Sequence, residues 1–191
     1  MSSREEQLWR QHERNLKIIQ VGSNKNTWTV SGFNQQEVTS LCSELQCQFV
    51  EDFRSGVTSK RFADDLQDSM EAAGVENPRT IHYGLEKSVD EFATEAVVLV
   101  VGCISPSSDS IKDWLALLGN DATPKREVRS DYEGQEWVGP DAHIAHELPR
   151  DVREKHVLQA IGRYARRPAD GQDGAAVYVL SNVLNRQWVD E

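Results

Sequence analysis

Lysine is scarce in this chain. Seven of its 191 residues are Lys, and its 21 basic side chains, mostly Arg, face 31 Asp and Glu for a formal net charge of -10. A surface of that sign repels bare nucleic acid at moderate salt. In a cell with high internal salt the repulsion is screened, and the same acidity keeps a protein soluble. The charge therefore counts against nucleic-acid binding in one setting and hardly counts in the other. Cysteine is scarce too: Cys42, Cys47 and Cys103 are odd in number and match no zinc spacing, which excludes a disulfide framework and reads as three reduced, buried small hydrophobes. The longest apolar run, AVVLVVGCI at 96–104, falls far short of the roughly 18 residues a membrane span needs. The first residues, MSSREEQLWRQHERN, are charged throughout with no apolar stretch, so the expectation is a cytoplasmic protein.

The usual catalytic signatures are missing as well. No window reads G-x-x-x-x-G-K-[ST], the loop whose backbone N–H groups and lysine cradle phosphates, and there is no G-x-G-x-x-G, G-x-S-x-G or H-E-x-x-H. GVTSK at 56–60 has the residue types of a phosphate loop without the second glycine. His143 and His146 stand three apart on an expected helix, with no third ligand in view, and read as a solvated pair. A self-contained catalytic or metal site has little to be built from.

What is present is alternation. LKIIQV (16–21), a short strand near Val57, RTIHYG (79–84), AVVLVVGCI (96–104) and GAAVYVLS (174–181) read as strands. Between them come helical patterns from Gln35 to about Leu45, over SKRFADDLQDSMEAAG with Ser59 as N-cap and Gly74 as stop, over SVDEFA, over SDSIKDWLALLG (108–119), and from about Asp141 to Arg167 with a break at Pro149. Continuously apolar strands alternating with amphipathic helices predict a three-layer α/β domain around a mostly parallel sheet of about five strands. Residues 1–15 form a charged N-terminal segment and 16–191 the domain; 120–140 reads as a polar loop.

HVLQAIGRYARR (156–167) has the most chemical character. On a helix Gln159, Arg163 and Arg166 share one face, while Val157, Ile161 and Tyr164 share another at core-packing spacing. Forked guanidiniums stabilise a phosphoryl-transfer transition state without proton chemistry. They also pair with acidic neighbours on solvated helices, and the pattern supports both readings equally.

QAIGRYAR resembles motif VI, Q-x-x-G-R-x-x-R, of the second RecA-like domain of superfamily 2 helicases. VTSKRFADDLQDSMEAAG resembles the strand and helix that open that domain's core, IHYGLEKSVDEF the strand and turn before motif V, VVLVVGCISPSSDSI the place of motif V, and AAVYVLS the strand after motif VI. The chain looks especially like the helicase-like replication proteins of plasmids and viruses of halophilic archaea. The resemblance implies arginine fingers at Arg163 and Arg166, nucleotide contacts from Gln159, Gly162 and Gly102, and nucleic-acid contacts from Thr58, Ser59 and Lys60. It implies ATP and magnesium bound only with a P-loop-containing ATPase domain or subunit as partner, and single- or double-stranded DNA as a further partner, with no membrane. Where motif V usually places an acid after its glycine-hydrophobic pair, Ser105 follows Ile104, and Asp109 is the nearest acid downstream. A helicase-like domain completing an ATP site in trans, without hydrolysis of its own, is one expectation; a non-catalytic interaction domain that keeps the fold is the other.

Overall fold

A computed structural model of the chain describes residues 16–22, 33–85, 95–125, 136–164 and 175–190. Five strands, β1 (Leu16–Gln20), β2 (Phe53–Thr58), β3 (Arg79–His82), β4 (Val97–Val101) and β7 (Ala175–Leu180), form one sheet in the order β1-β7-β4-β2-β3. Every neighbouring pair in it is parallel. β4 lies at its centre and is buried along its whole length, which is why its sequence is apolar without alternation. Its side chains still divide by the period of two: Val98 and Val100 enter the core on one face, Val97, Leu99 and Val101 the core on the other. These two cores and the helices over them give the three-layer α/β architecture expected from the alternation.

α1 (Gln35–Gln48) starts at Asn34, whose side-chain oxygen accepts the Glu37 N–H, and it buries Val38, Leu41, Cys42 and Leu45 along one stripe. α2 (Ala63–Ala72) follows a 3-10 turn at Lys60–Phe62 that Ser59 opens with its carbonyl, not with the expected side-chain cap. α2 ends before Gly74, whose φ of +80° suits glycine. Both helices cover the face that holds Leu99 and Val101. Gly56, in the middle of β2, lets α2 approach: a Cβ there would stand 2.9 Å from Leu66 Cδ2 and 3.2 Å from Met70 Sδ.

α3 (Ser108–Leu117) is capped by Ser107, which accepts the Ser110 N–H, and is followed by Gly119 at φ +73°. The polar stretch after it is not wholly loop. β5 (Thr123–Pro124) and β6 (Trp137–Val138) form a short antiparallel ladder. With α3 and the start of α4 they enclose a satellite core of Ile111, Leu115, Ala122, Trp137 and Ala145.

α4 (Ala142–Tyr164) runs unbroken through Pro149, which corrects the expected break. Proline removes one backbone donor and crowds the preceding turn. Here packing on both sides outweighs that cost: Ala145 is fixed in the satellite core, and Val157, Leu158, Ala160 and Ile161 are fixed in the main core. The free edge of β1 is covered by the chain's last turn, where Ile18 N–H donates to the Asp190 carboxylate at 2.8 Å and Asp190 N–H donates to Ile18 O at 2.8 Å. The charged segment at 1–15 and the expected helix over SVDEFA (88–93) lie outside the described residues.

Candidate functional site

Strand order decides where a site can form. From β2 the chain passes under α2 to β3, toward one edge; from β4 it passes through α4 to β7, toward the other. The segments leaving β2 and β4 therefore part to opposite faces. In a parallel α/β sheet the crevice at the carboxyl ends of two such strands is where ligands bind. Its lips here are Thr58, Ser59 and Lys60 after β2, and Gly102 to Ser105 after β4. Tyr83 forms its floor: its ring is buried in the main core, its hydroxyl donates to Gly102 O at 2.7 Å, and its N–H donates to Thr58 O at 2.9 Å.

The residues expected to bind nucleotide or nucleic acid fare differently at these lips. Gly102 takes φ +73°, its N–H donates to Leu180 O at 3.0 Å and its carbonyl accepts Tyr83, so its backbone groups are engaged within the fold. Thr58 is 1% exposed, so its side chain is enclosed within the fold. The Ser59 hydroxyl oxygen is buried without a hydrogen-bond partner. Lys60 is exposed and available.

The sequence reading missed Arg153. Its Nε and one Nη donate to the Ser105 hydroxyl at 3.1 and 2.9 Å, which sets the guanidinium beside the exit of β4. The neighbouring Cys103 thiol is pushed up to about 11 by burial, against the opposing pull of Arg153 and of a hydrogen bond with Ser181, so it is uncharged at neutral pH. A signal was available in the sequence: Arg153 and Val157 are one turn apart, so a helix with Val157 in the core brings Arg153 over the same face near the strand ends.

Gln159, Gly162 and Arg163 lie elsewhere. α4 meets the carboxyl ends of the sheet at Arg153 and at Glu154, which accepts the Asn185 N–H at 2.8 Å, and then crosses the face that holds Val98 and Val177. Ten residues further along its axis is about 15 Å. Arg163 therefore stands well away from the Gly102 end of the sheet, and the described ones among the expected residues do not gather at one point. Gln159 is exposed, Gly162 and Arg163 are half-buried, and Arg166 lies outside the described residues. Val157 and Ile161, on the opposite side of the helix, are fully buried.

A second concavity opens at the amino ends of β2 and β3, lined by Arg54, Gln67, Glu71 and Arg79 among others. Its arginines are already served: the Glu95 carboxylate, nearly buried, pairs with Arg79 and lies 3.8 Å from Arg54. This cluster clamps the starts of three strands, its two arginines sharing one carboxylate. His143 and His146 are both exposed, and among the described residues no three His, Cys, Asp or Glu side chains gather as metal ligands. Cys42 and Cys103 are buried as expected, whereas Cys47 is exposed on the outer side of α1.

No protein-family model matches the chain, and no curated protein matches it. Among solved structures it is similar to an XPD helicase at 13% identity and a TM-score of 0.48; the match covers 96% of this chain and 35% of that one.

Proposed function

We propose that the chain is a helicase-like RecA-type domain that completes a nucleotide site in trans. Gln159 and Arg163, with Arg166 next on that face by sequence, reach toward ATP and magnesium held by a P-loop-containing ATPase domain or subunit. The carboxyl edge of the sheet contacts nucleic acid in a replication or recombination assembly. The observation that carries this reading is the state of Arg163. It is half-buried on a helix pinned from behind by Val157 and Ile161, and among the described residues no acid pairs with it, in a chain where acids outnumber bases 31 to 21. A solvated helix that merely balances its charges has acids to spare for that arginine. A guanidinium carried on a helix fixed by its buried face, with no acid partner among the described residues, is instead suited to a phosphoryl group supplied from outside. The acidic surface fits a high-salt cell, in keeping with a helicase-like protein of halophilic archaeal plasmids or viruses. A docking-only role is the second reading, favoured by Leu117 and Leu118, which are 83% and 64% exposed at the end of α3.

The test is reconstitution. The chain alone should release no phosphate from ATP, since it holds no P-loop. With the ATPase subunit that co-purifies from the native host, Arg163→Ala should lower turnover by about a thousandfold while the complex still forms. Arg163→Lys should not restore it, because an ammonium lacks the planar fork. Denaturant unfolding supplies the control: Ile161→Ala should cost about 2 to 5 kcal/mol, and Arg163→Ala less than about 1 kcal/mol. If Arg163→Ala unfolds the domain as severely as Ile161→Ala, the arginine is structural and the reading fails.

A further inference from the structure

The geometry points to a phosphate-binding subsite at the crevice between β2 and β4, with Arg153 as its anchor, Ser105 as the group that positions Arg153, and Lys60 on the facing lip. It deepens the nucleic-acid half of the function proposed above and is independent of Gln159 and Arg163, which lie about 9 and about 15 Å along the helix from Arg153.

Four observations converge on it. Arg153 directs its Nε and one Nη onto a single acceptor, the Ser105 hydroxyl, at 3.1 and 2.9 Å. Five N–H donors on a guanidinium exceed what one hydroxyl can accept, so the rest of the fork is available. No carboxylate among the described residues forms an ion pair with Arg153. The acid beside it, Glu154, is engaged by the Asn185 N–H, and the neighbouring thiol is uncharged at neutral pH. With no ion-pair partner among the described residues, the planar fork is open to the paired oxygens of a phosphate. At the other lip the Ser59 hydroxyl is buried and unpartnered, and Lys60 is exposed. The place is the one where an open parallel sheet receives ligands, because the segments leaving β2 and β4 part to opposite faces there. Arg54 and Arg79 supply the contrast within the same molecule: each lies within ion-pair distance of the Glu95 carboxylate.

The ligand chemistry is a phosphate group, either a backbone phosphodiester of a nucleic-acid strand or the phosphate chain of a small molecule. The full-length chain, labelled with nitrogen-15, should be titrated with a 20-residue oligothymidylate in one arm and with inorganic tripolyphosphate in another, watching the arginine Nε–H resonances. Oligothymidylate shifting the Arg153 signal assigns the subsite to a strand; tripolyphosphate alone shifting it assigns the subsite to small phosphates. Either result supports the subsite. Arg153→Ala should weaken the binding at least fivefold, Arg153→Lys should restore only part of it, and Ser105→Ala should give an intermediate loss while the Arg153 side-chain signal broadens. The Lys variant keeps both charge and stem, so it separates loss of the fork from loss of packing. Saturation of neither probe, or unchanged affinity in both Arg153 variants, overturns the inference. Neither outcome touches the Arg163 experiment, which reads ATP turnover at the other part of α4.

Discussion

The hydroxyl of Tyr83 donates a 2.7 Å hydrogen bond to the carbonyl of Gly102, and so ties the end of β3 to the exit of β4 across the intervening β2. Tyr83 and Gly102 are both buried, so the carbonyl loses this partner to nothing when the hydroxyl is removed. Tyr83→Phe keeps the ring and should cost about 1 to 3 kcal/mol. Urea unfolding checks it, and wild-type stability would show that the carbonyl finds water instead.

Gly56 predicts a different kind of loss. A methyl group at this position meets Leu66 Cδ2 at 2.9 Å and Met70 Sδ at 3.2 Å, and both side chains are fully enclosed, so neither can swing aside freely. Gly56→Ala should destabilise by about 1 to 3 kcal/mol even though alanine favours strands over glycine. Shortening the opposing side chain in Gly56→Ala/Met70→Ala should not simply add the two single costs, and a double-mutant cycle measures that coupling.

The three thiols should separate by reactivity. Burial pushes Cys42 up to about 12 and Cys103 up to about 11 from an ordinary 9.0, while Cys47 is exposed. Iodoacetamide at pH 8 should label Cys47 quickly and the other two only after unfolding. The same shifts set a pH dependence. Above 9 the unfolded chain ionises these thiols while the folded chain does not, so stability is fully present below pH 9 and falls between about 9 and 12. Cys42→Ala, which removes the larger shift, should flatten that fall in pH-dependent unfolding.

The net charge of -10 makes salt the fourth test. Screening of self-repulsion should raise the melting temperature between dilute and molar potassium chloride. A flat or falling profile would remove the support that the charge lends to a high-salt setting and leave the fold as it is.

Local pattern carried most of the elements. The continuous run Val97–Val101 announces a strand buried on both faces, and the spacing of Val38, Leu41, Cys42 and Leu45 announces one helical stripe, because side-chain period follows directly from backbone geometry. The buried stripe of α4 at Val157 and Ile161 was legible for the same reason. What the sequence could not determine is which elements meet. Pro149 breaks a helix by local rules, and it is carried through here because two separate cores hold the turns on either side of it. Thr58 and Gly102 look available in a list of strand-end residues, and only Tyr83, arriving from another strand, shows that their backbone groups are already engaged. Arg153 and Ser105 are 48 positions apart, and no periodicity relates them. Strand order brings them together at one end of the sheet and leaves Arg163 some way along the helix, because the register of a parallel sheet and the axis of the helix across it are settled by long-range packing, not by neighbours in sequence.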